Sequence, residues 1–238
     1  MDKLQDMISR MSLYSKQAPK KEYKCKECRD YGYIRQEDGN FKRCECEVKR
    51  LAEIRLKAQG FKAGEMTMEQ FNTNDEIARR MKEKAQGYID TYPNGSSLAV
   101  MGQVGAGKTH LVVGIAQELM NKGHEVTYMP YVDMMTQLRQ AIFNAEEYAR
   151  LMNNLKNTEL LVIDDFLKGN ILPNDLGIIF ELINYRYLNK KQFILSSEKL
   201  MDEIVQIDEA LGTRISQVTR GNRIQVKKDA KRNKRMIE

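Results

Sequence analysis

The chain has 238 residues, of which 42% are hydrophobic and 30% are charged, and its formal net charge is +6. This length suits one medium domain with a small appendage, and the hydrophobic fraction is sufficient for a real core. No apolar run approaches the roughly 20 residues that a membrane-spanning helix needs, and the first residues lack the apolar centre of a signal peptide. We therefore expect a cytoplasmic protein that does not bind a membrane.

The basic charge is concentrated near the two ends of the chain. Residues 20–62 and residues 223–238 each carry a net charge of +5, so the remainder is acidic. Basic ends favour contact with nucleic acid, although a solvated tail explains the C-terminal run nearly as well. Residues 1–19 have apolar side chains at helical spacing, which suits either a short amphipathic helix or a frayed end.

All four cysteines lie in one short window. Cys25 and Cys28 are separated by two residues, Cys44 and Cys46 by one, and a turn-forming sequence lies between the pairs. Two close pairs of thiols joined by a hairpin are typical of a tetrahedral Zn²⁺ site, and a cytoplasmic setting disfavours disulfides. A module of this size, residues 23–48, buries too little apolar surface to fold alone. We expect the metal to supply its folding free energy.

Two helices are predicted before the first core strand. Residues 48–59 form a basic helical pattern that ends at Gly60 and links the cysteine module to the rest of the chain. Residues 75–92 form a second helix, with Asn74 or Asp75 as the N-cap. These elements place a domain boundary after residue 62, between an N-terminal region, 1–62, and a C-terminal domain, 63–238.

The stretch from Leu98 to Val113 is the most informative part of the sequence. A short apolar run is followed by Gly102-x-x-x-x-Gly107-Lys108-Thr109 and then by a helix-compatible run. Glycines allow a tight turn whose backbone N–H groups converge on an anion, Lys108 is expected to reach the β- and γ-phosphates, and Thr109 is expected to ligate Mg²⁺. The pattern predicts a binding site for ATP. Its expected contact residues are Gly102, Gln103, Val104, Gly105, Ala106, Gly107, Lys108, Thr109 and His110.

Strand-like and helical segments alternate in the C-terminal domain. The strand-like runs are residues 98–101, 125–129, 160–164, 192–196 and 223–226. The alternation predicts an α/β core with a parallel five-stranded sheet that is covered by helices on both faces. The third run ends in Asp164 and Asp165, at the edge where such sheets bind ligands. We expect Asp164 to hold Mg²⁺ through water and Asp165 to act as general base on the attacking water.

Four segments together resemble the AAA+ helicase loaders of bacteria and their phages. The loaders are of the DnaC/DnaI type, which is related to initiator ATPases and to transposition helper ATPases. The cysteine module also resembles the N-terminal zinc region of phage and Gram-positive loaders, so the similarity extends from Tyr23 to Val226. The four segments are residues 102–110, 161–165, 183–187 and 193–197.

The resemblance implies a AAA+ domain without a full lid domain and a weak, assembly-dependent ATPase activity. It also implies a homo-oligomer that binds single-stranded DNA and delivers a hexameric DnaB-type replicative helicase onto it. The N-terminal zinc module would dock on the helicase.

The resemblance assigns roles to further residues. Ser197 falls at the position of a γ-phosphate sensor, but Glu198 replaces the asparagine that relatives carry. Arg214 falls where relatives carry an arginine finger that reaches the ATP of a neighbouring subunit, and a guanidinium suits that role because it is always charged. A second arginine of the family would fall near Gln217, which is not basic, so Arg220 and Arg223 are the candidate substitutes.

Residues 131–157 correspond to the inserted helix that helps initiators and loaders bind single-stranded DNA. In this chain Arg139, Arg150 and Lys156 could contact phosphates, and Tyr131 or Phe143 could stack on bases. An ordinary amphipathic core helix explains the apolar spacing equally well, and the sequence does not decide between the two.

The sequence leaves three other functions open. A transposition helper ATPase would share the core but bind duplex DNA and a transposase, and the cysteine module favours the loader over it. An adaptor that binds nucleotide with little turnover is compatible with the unusual Asp165 and Glu198. A small-molecule kinase is disfavoured by Asp164-Asp165 and by Asn184-Tyr-Arg-Tyr187.

Overall fold

The computed structural model describes residues 22–62 and 64–227. The predicted helix at residues 1–19 and most of the basic C-terminal tail lie outside the described residues. By its internal contacts the chain divides into two compact units, the first ending at Glu47 and the second beginning at Val48.

The first unit contains a short antiparallel hairpin. Strand β1 (Tyr33–Arg35) pairs with β2 (Phe41–Arg43), and Tyr33 lies opposite Arg43. The turn between the strands is stabilised by Asp38, which accepts hydrogen bonds from the backbone and side-chain nitrogens of Asn40 at 2.9 Å. Helix α1 (Glu45–Ala58) follows and runs across the division between the units.

The second unit is an α/β domain. Its parallel five-stranded sheet has the strand order β4-β5-β6-β3-β7. The predicted α/β class and parallel sheet are confirmed. The strands are β3 (Leu98–Gly102), β4 (Val126–Pro130), β5 (Leu160–Asp164), β6 (Phe193–Ser197) and β7 (Arg223–Val226). The helices are α2 (Glu76–Thr91), α3 (Lys108–Asn121), α4 (Tyr131–Ala141), α5 (Ala145–Asn157), α6 (Pro173–Leu188), α7 (Met201–Ile207) and α8 (Glu209–Val218).

Each face of the sheet packs against its own layer of helices. On β5, Leu160 and Val162 belong to the core that includes α2 and α3, whereas Leu161 and Ile163 belong to the core with α4 to α8. This alternation follows from the two-residue period of a strand. Because both faces are covered, the central strands are apolar along their whole length and contribute polar groups only at their ends.

Two boundaries differ from the sequence-based expectations. The helix predicted from residue 48 begins at Glu45, and its second half packs in the second unit, since Arg55 and Gln59 donate to the carbonyl oxygens of His124 and Val126. The compact division therefore falls before the predicted boundary at residue 62.

The helical stretch 131–157 is two helices rather than one. The break follows Ala141, and Asn144 caps α5 by accepting a hydrogen bond from the backbone N–H of Glu147 at 3.2 Å. An asparagine at this position satisfies one of the free N–H groups of a new helix, which explains why the chain starts a second helix here. Within the described residues, none of the helices combines the length and apolar character needed to cross a membrane.

Candidate functional site

The phosphate loop connects β3 to α3 through glycines with left-handed backbone. The φ angles of Gly102, Gly105 and Gly107 are 106°, 76° and 84°. At Gly102 an added Cβ would lie 2.0 Å from the carbonyl oxygen of Val226, so β7 excludes any side chain there. Helix α3 begins at Lys108, which places its free N-terminal N–H groups at the loop.

The side chain of Lys108 folds back across the loop. Its Nζ donates to the carbonyl oxygens of Gly102 and Gln103, both at 2.8 Å. Burial lowers the pKa of Lys108 from its usual value, and the nearby carboxylates of Glu198 and Asp165 oppose that shift. The ammonium group is thus held inside the loop on which the N–H groups of an anion site converge.

Asp164 lies at the end of β5 and is 4% exposed. Its Oδ1 accepts hydrogen bonds from the hydroxyls of Thr109, at 3.3 Å, and of Ser196, and its Oδ2 accepts one from Tyr128 at 2.7 Å. Three donors fix the carboxylate beside the first turn of α3. The hydroxyl of Thr109 and the carboxylate of Asp164 are oxygen ligands of the kind that Mg²⁺ prefers.

The side chain of Asp165 points away from this network, although its backbone N–H belongs to it. Its φ is 54°, its N–H donates to Ser196 Oγ at 2.9 Å, and its Oδ2 lies 2.8 Å from Lys168 Nζ. The same ammonium group lies 3.2 Å from Oε1 of Glu198. The carboxylate predicted as a general base is therefore ion-paired.

Lys108, Thr109, Asp165 and Glu198 line one pocket of about 260 Å³. His110 lies at its wall, where a ring nitrogen is 2.8 Å from the carbonyl oxygen of Thr67 and the ring meets Phe71 edge-on. The predicted contact residues Gln103 and Ala106 are buried and are not among the lining residues. The lining residues are Met66, Val104, Gly105, Gly107, Lys108, Thr109, His110, Asp165 and Glu198.

The predicted sensor Ser197 is directed away from the pocket. It is fully buried, and its hydroxyl donates to the carbonyl oxygen of Phe166 at 2.8 Å. Its neighbour Ser196 is the serine that contacts both acidic residues, donating to Asp164 and accepting from Asp165. The sequence alone did not indicate that Ser196 contacts the acidic residues, because that depends on which of two adjacent strand residues points to their side of the sheet.

Arg214 is the centre of a separate closed triangle. Its guanidinium lies 3.9 Å from the ring centroid of Tyr187, and Nη1 donates to Gln217 Oε1 at 3.0 Å. Gln217 in turn donates to the hydroxyl of Tyr187 at 3.0 Å. Arg214 is not among the residues that line the phosphate pocket of its own chain. The glutamine that replaces the second family arginine thus holds the guanidinium against an aromatic ring.

Arg186 has a role that sequence reasoning missed. It is fully buried, and its guanidinium donates to backbone carbonyls at the end of α5, before β5 and before β6. The acceptors are Leu155, Lys156, Thr158, Glu159 and Gln192. The arginine of the Asn184-Tyr-Arg-Tyr187 run therefore ties α6 to the entrance of two strands. A charged residue among apolar positions of a buried helix is the signal that could have found it.

Some of the residues in 131–157 that were predicted to contact DNA are buried, and others are exposed. Tyr131 is buried against Phe166, with ring centroids 5.5 Å apart, so it is not available to stack on a base. Phe143, between α4 and α5, is 94% exposed. The predicted cations are ion-paired: Arg139 with Asp175, Arg150 with Glu147 and Lys156 with Glu181.

The four cysteines converge in the first unit. All four Sγ atoms lie within 4.8 Å of one another, with Cys25 and Cys44 3.7 Å apart and Cys28 and Cys46 3.4 Å apart. The backbone N–H of Gly32 donates to Cys28 Sγ at 3.3 Å. Hydrogen bonding from the backbone of Cys28 lowers the pKa of Cys25 to about 7, while the sulfur of Cys28 raises the pKa of Cys46.

Comparison with known proteins places this chain in a family. A model of the family described as IstB-like ATP binding protein matches residues 2–238. The phage-like element PBSX protein XkdC of Bacillus subtilis is 33% identical over 215 residues, which cover 81% of this chain and 78% of that protein. The replicative helicase loader DnaC of Escherichia coli is 28% identical over 134 residues, or 56% of this chain and 54% of the loader.

Two solved structures share the fold. The replication initiator DnaA bound to AMPPCP and single-stranded DNA aligns with a TM-score of 0.60 and 24% identity, over 70% of this chain and 51% of that chain. The crystal structure of the DnaC helicase loader aligns with a TM-score of 0.57 and 20% identity, over 70% of this chain and 98% of that chain. The second unit therefore has the AAA+ P-loop fold.

Proposed function

The chain belongs to the family of IstB-like ATP binding proteins, and from this premise we propose that it is an ATP-dependent loader of a hexameric replicative helicase. In this function the second unit binds ATP, assembles with further copies and grips single-stranded DNA, and the first unit docks on the helicase. The observation that carries the proposal is that Lys108 and Thr109 line one pocket and that Thr109 donates a hydrogen bond to Asp164, in a chain related to helicase loaders.

The donor set at this pocket fits ATP with Mg²⁺. Lys108 supplies the cation for the terminal phosphates, and the N–H groups of the loop and of α3 supply hydrogen-bond donors. Thr109 and Asp164 would hold the ion, whose charge stabilises the phosphates during hydrolysis. Ser196 and Tyr128 orient the carboxylate of Asp164, so that its Oδ1 atom faces the hydroxyl of Thr109. Asp165 is the group for orienting the attacking water once it is free of Lys168.

Hydrolysis in this proposal needs a second copy of the chain. Arg214 does not line its own phosphate pocket, yet its guanidinium is fixed by Tyr187 and Gln217. A fixed guanidinium loses little conformational entropy when it binds phosphate oxygens, so the triangle suits an arginine that acts on the ATP of a neighbouring subunit.

The cysteine cluster fits Zn²⁺. A tetrahedral site with Zn–S bonds of about 2.3 Å separates its sulfurs by about 3.8 Å. The two sulfur pairs are 3.7 Å and 3.4 Å apart, which is close to that separation. The N–H of Gly32 directed at Cys28 Sγ stabilises thiolate character at that sulfur. The metal would hold the hairpin and the first turn of α1 together.

Two surfaces suit the proposed macromolecular partners. Tyr31 and Phe41 in the first unit are 79% and 70% exposed, and exposed aromatic side chains in a small unit are typical of a protein interface. In the second unit the 94% exposed ring of Phe143 is available to stack on the bases of single-stranded DNA.

A transposition helper ATPase is the second candidate. The name of the matching family, IstB-like ATP binding protein, favours it, whereas the cysteine cluster and the similarity to DnaC favour the loader. The discriminating experiment is affinity capture from an extract of the host cell in the presence of ATP. Recovery of the replicative helicase supports loading, and recovery of a transposase in its place supports the alternative.

Nucleotide binding is tested with Lys108→Ala. Loss of the ammonium group removes the cation for the terminal phosphates, so we expect ATP affinity to fall by at least about 100-fold in isothermal titration calorimetry. Lys57→Ala, which removes an exposed lysine of α1, is the matched control and should bind ATP normally. Equal affinity in wild type and Lys108→Ala would exclude the phosphate-loop assignment.

The role of Arg214 in trans is tested by mixing two inactive variants. Arg214→Ala should bind ATP normally but lose hydrolysis by a factor of about 10³, because the arginine acts on the neighbouring nucleotide. Mixed with Lys108→Ala it should regain part of the ATPase rate, since an interface between the two variants joins an intact phosphate loop to an intact Arg214. No recovery on mixing, with oligomers present, contradicts action in trans.

A further inference from the structure

Two carboxylates share the mouth of the phosphate pocket. Asp165 and Glu198 line the same pocket as Lys108, and Asp164 is buried at the end of β5 beside it. A nucleoside triphosphate brings further negative charge into this space. The negative charges of the carboxylates and of the phosphates repel one another, so they oppose nucleotide binding unless a cation compensates them.

Lys168 is the cation that joins the two carboxylates. Its Nζ lies 2.8 Å from Asp165 Oδ2 and 3.2 Å from Glu198 Oε1, and its side chain is 42% exposed. The hydrogen bond that Lys168 donates to Asp165 raises the pKa of Lys168 above its usual value, so the lysine is charged at physiological pH.

The backbone after β5 is shaped to bring Lys168 there. Asp165 and Leu167 have φ angles of 54° and 58°, a conformation that side-chain-bearing residues rarely adopt. The N–H of Lys168 donates to the carbonyl oxygen of Asp165 at 3.1 Å and closes the turn. Two residues in this region cost free energy that the surrounding structure must offset, and such conformations cluster at functional sites.

We propose that Lys168 binds the γ-phosphate of the bound nucleotide and so distinguishes ATP from ADP. This inference rests on the proposed ATP site. Without nucleotide, Lys168 bridges Asp165 and Glu198. A γ-phosphate beside Lys108 competes for the ammonium group of Lys168 and draws it from Asp165, while Glu198 keeps it at the pocket mouth. ADP has no group at that position and leaves the bridge intact.

The exchange has two consequences. First, ATP is distinguished from ADP because only the triphosphate contacts the ammonium group of Lys168. Lys168 thus supplies a contact to the γ-phosphate, whereas the hydroxyl of the predicted sensor Ser197 is bonded to Phe166. Second, the carboxylate of Asp165 is released only when ATP is present, so the group for orienting water becomes available together with its substrate. Glu198 acts as a positioning residue for Lys168.

The test compares ATP and ADP affinities of the full chain by isothermal titration calorimetry. Lys168→Met, similar in length but uncharged, should weaken ATP binding about tenfold relative to wild type and change ADP binding less than about twofold. Lys168→Arg keeps the charge and should retain the preference for ATP. Lys57→Met is the control for removing an exposed lysine.

The proposal is overturned if Lys168→Met leaves the ratio of ATP to ADP affinity unchanged. This holds both when neither affinity changes and when both fall equally, and an equal fall indicates general electrostatics. If Lys168→Met does not fold, as judged by circular dichroism, Lys168→Gln takes its place with the same expectations. A wild-type chain that binds neither nucleotide removes the proposed ATPase itself. Normal Lys108-dependent binding with an unchanged ratio removes only the role of Lys168.

Discussion

The two compact units of the chain are built on different kinds of core. In the first unit, the buried side chains among the described residues are those of Cys28 and Cys44. In the second unit, two apolar clusters fill the space between a parallel sheet and the helices on its faces. The first unit is therefore built around buried cysteine side chains, and the second around hydrocarbon side chains.

The difference follows from size. A short segment cannot remove enough apolar surface from water to offset the conformational entropy of its chain, so small units rely on a metal or on cross-links. The second unit is long enough to bury whole strands and needs no such support. Its polar groups lie at the ends of β3, β5 and β6, the edge at which open parallel sheets commonly bind ligands.

Removal of the proposed zinc ion should have the largest effect on folding, and that effect should be confined to the first unit. Because structural zinc contributes about 10 kcal/mol or more to the folding of small modules, chelation should abolish the pairing of β1 with β2. The thermal unfolding of the second unit should be unchanged. Metal analysis and two-dimensional NMR before and after chelation measure both effects.

The serine variant Cys44→Ser should reproduce the effect of chelation, whereas Lys42→Ala, at an exposed position of β2, should keep both zinc and the hairpin. Protein purified without chelator that contains no zinc, yet shows a folded hairpin, would contradict the metal-based core.

A cavity in the hydrocarbon core should have the next largest effect. Leu195 in β6 is fully buried, so Leu195→Ala should lower the free energy of unfolding of the second unit by about 3 kcal/mol. Zinc content should not change. Leu188→Ala makes the same chemical change at a position that is 66% exposed and should cost less than about 0.5 kcal/mol. Urea unfolding curves of the two variants test the difference, and equal losses would contradict the assigned core.

The regular parts of the second unit were predictable because periodic apolar burial determines them. The ranges of β5 and β7 agree with the predicted runs, and the glycines of the phosphate loop have left-handed backbone. The alternation of strands and helices was sufficient for the sheet. The close approach of the four cysteine sulfurs was predictable because two close pairs of thiols joined by a hairpin are typical of a zinc site.

The polar details were less predictable because they depend on the direction of single side chains. Ser196 and Ser197 are chemically identical, and only the strand register decides which one contacts Asp164. Lys168 reaches Asp165 through left-handed residues that are not glycines, so no sequence pattern marks that turn. Phe143 and Tyr131 look alike as candidate stacking residues, yet one is exposed and the other is in the core.

The smallest effect on stability is expected at the exposed aromatic surface of the first unit, where function and folding separate. Phe41 is 70% exposed, so Phe41→Ser should change the free energy of unfolding by less than about 0.5 kcal/mol and leave zinc bound. If this ring is buried on docking, its loss should weaken binding to the helicase at least about tenfold, since aromatic anchors dominate protein interfaces. Surface plasmon resonance with the helicase captured from the host measures this. Lys42→Ser, at the adjacent exposed position of β2, points to the opposite side of the strand and should bind normally. Equal binding by both variants would place the docking surface elsewhere, and loss of zinc in Phe41→Ser would show that the aromatic ring belongs to the core of the first unit after all.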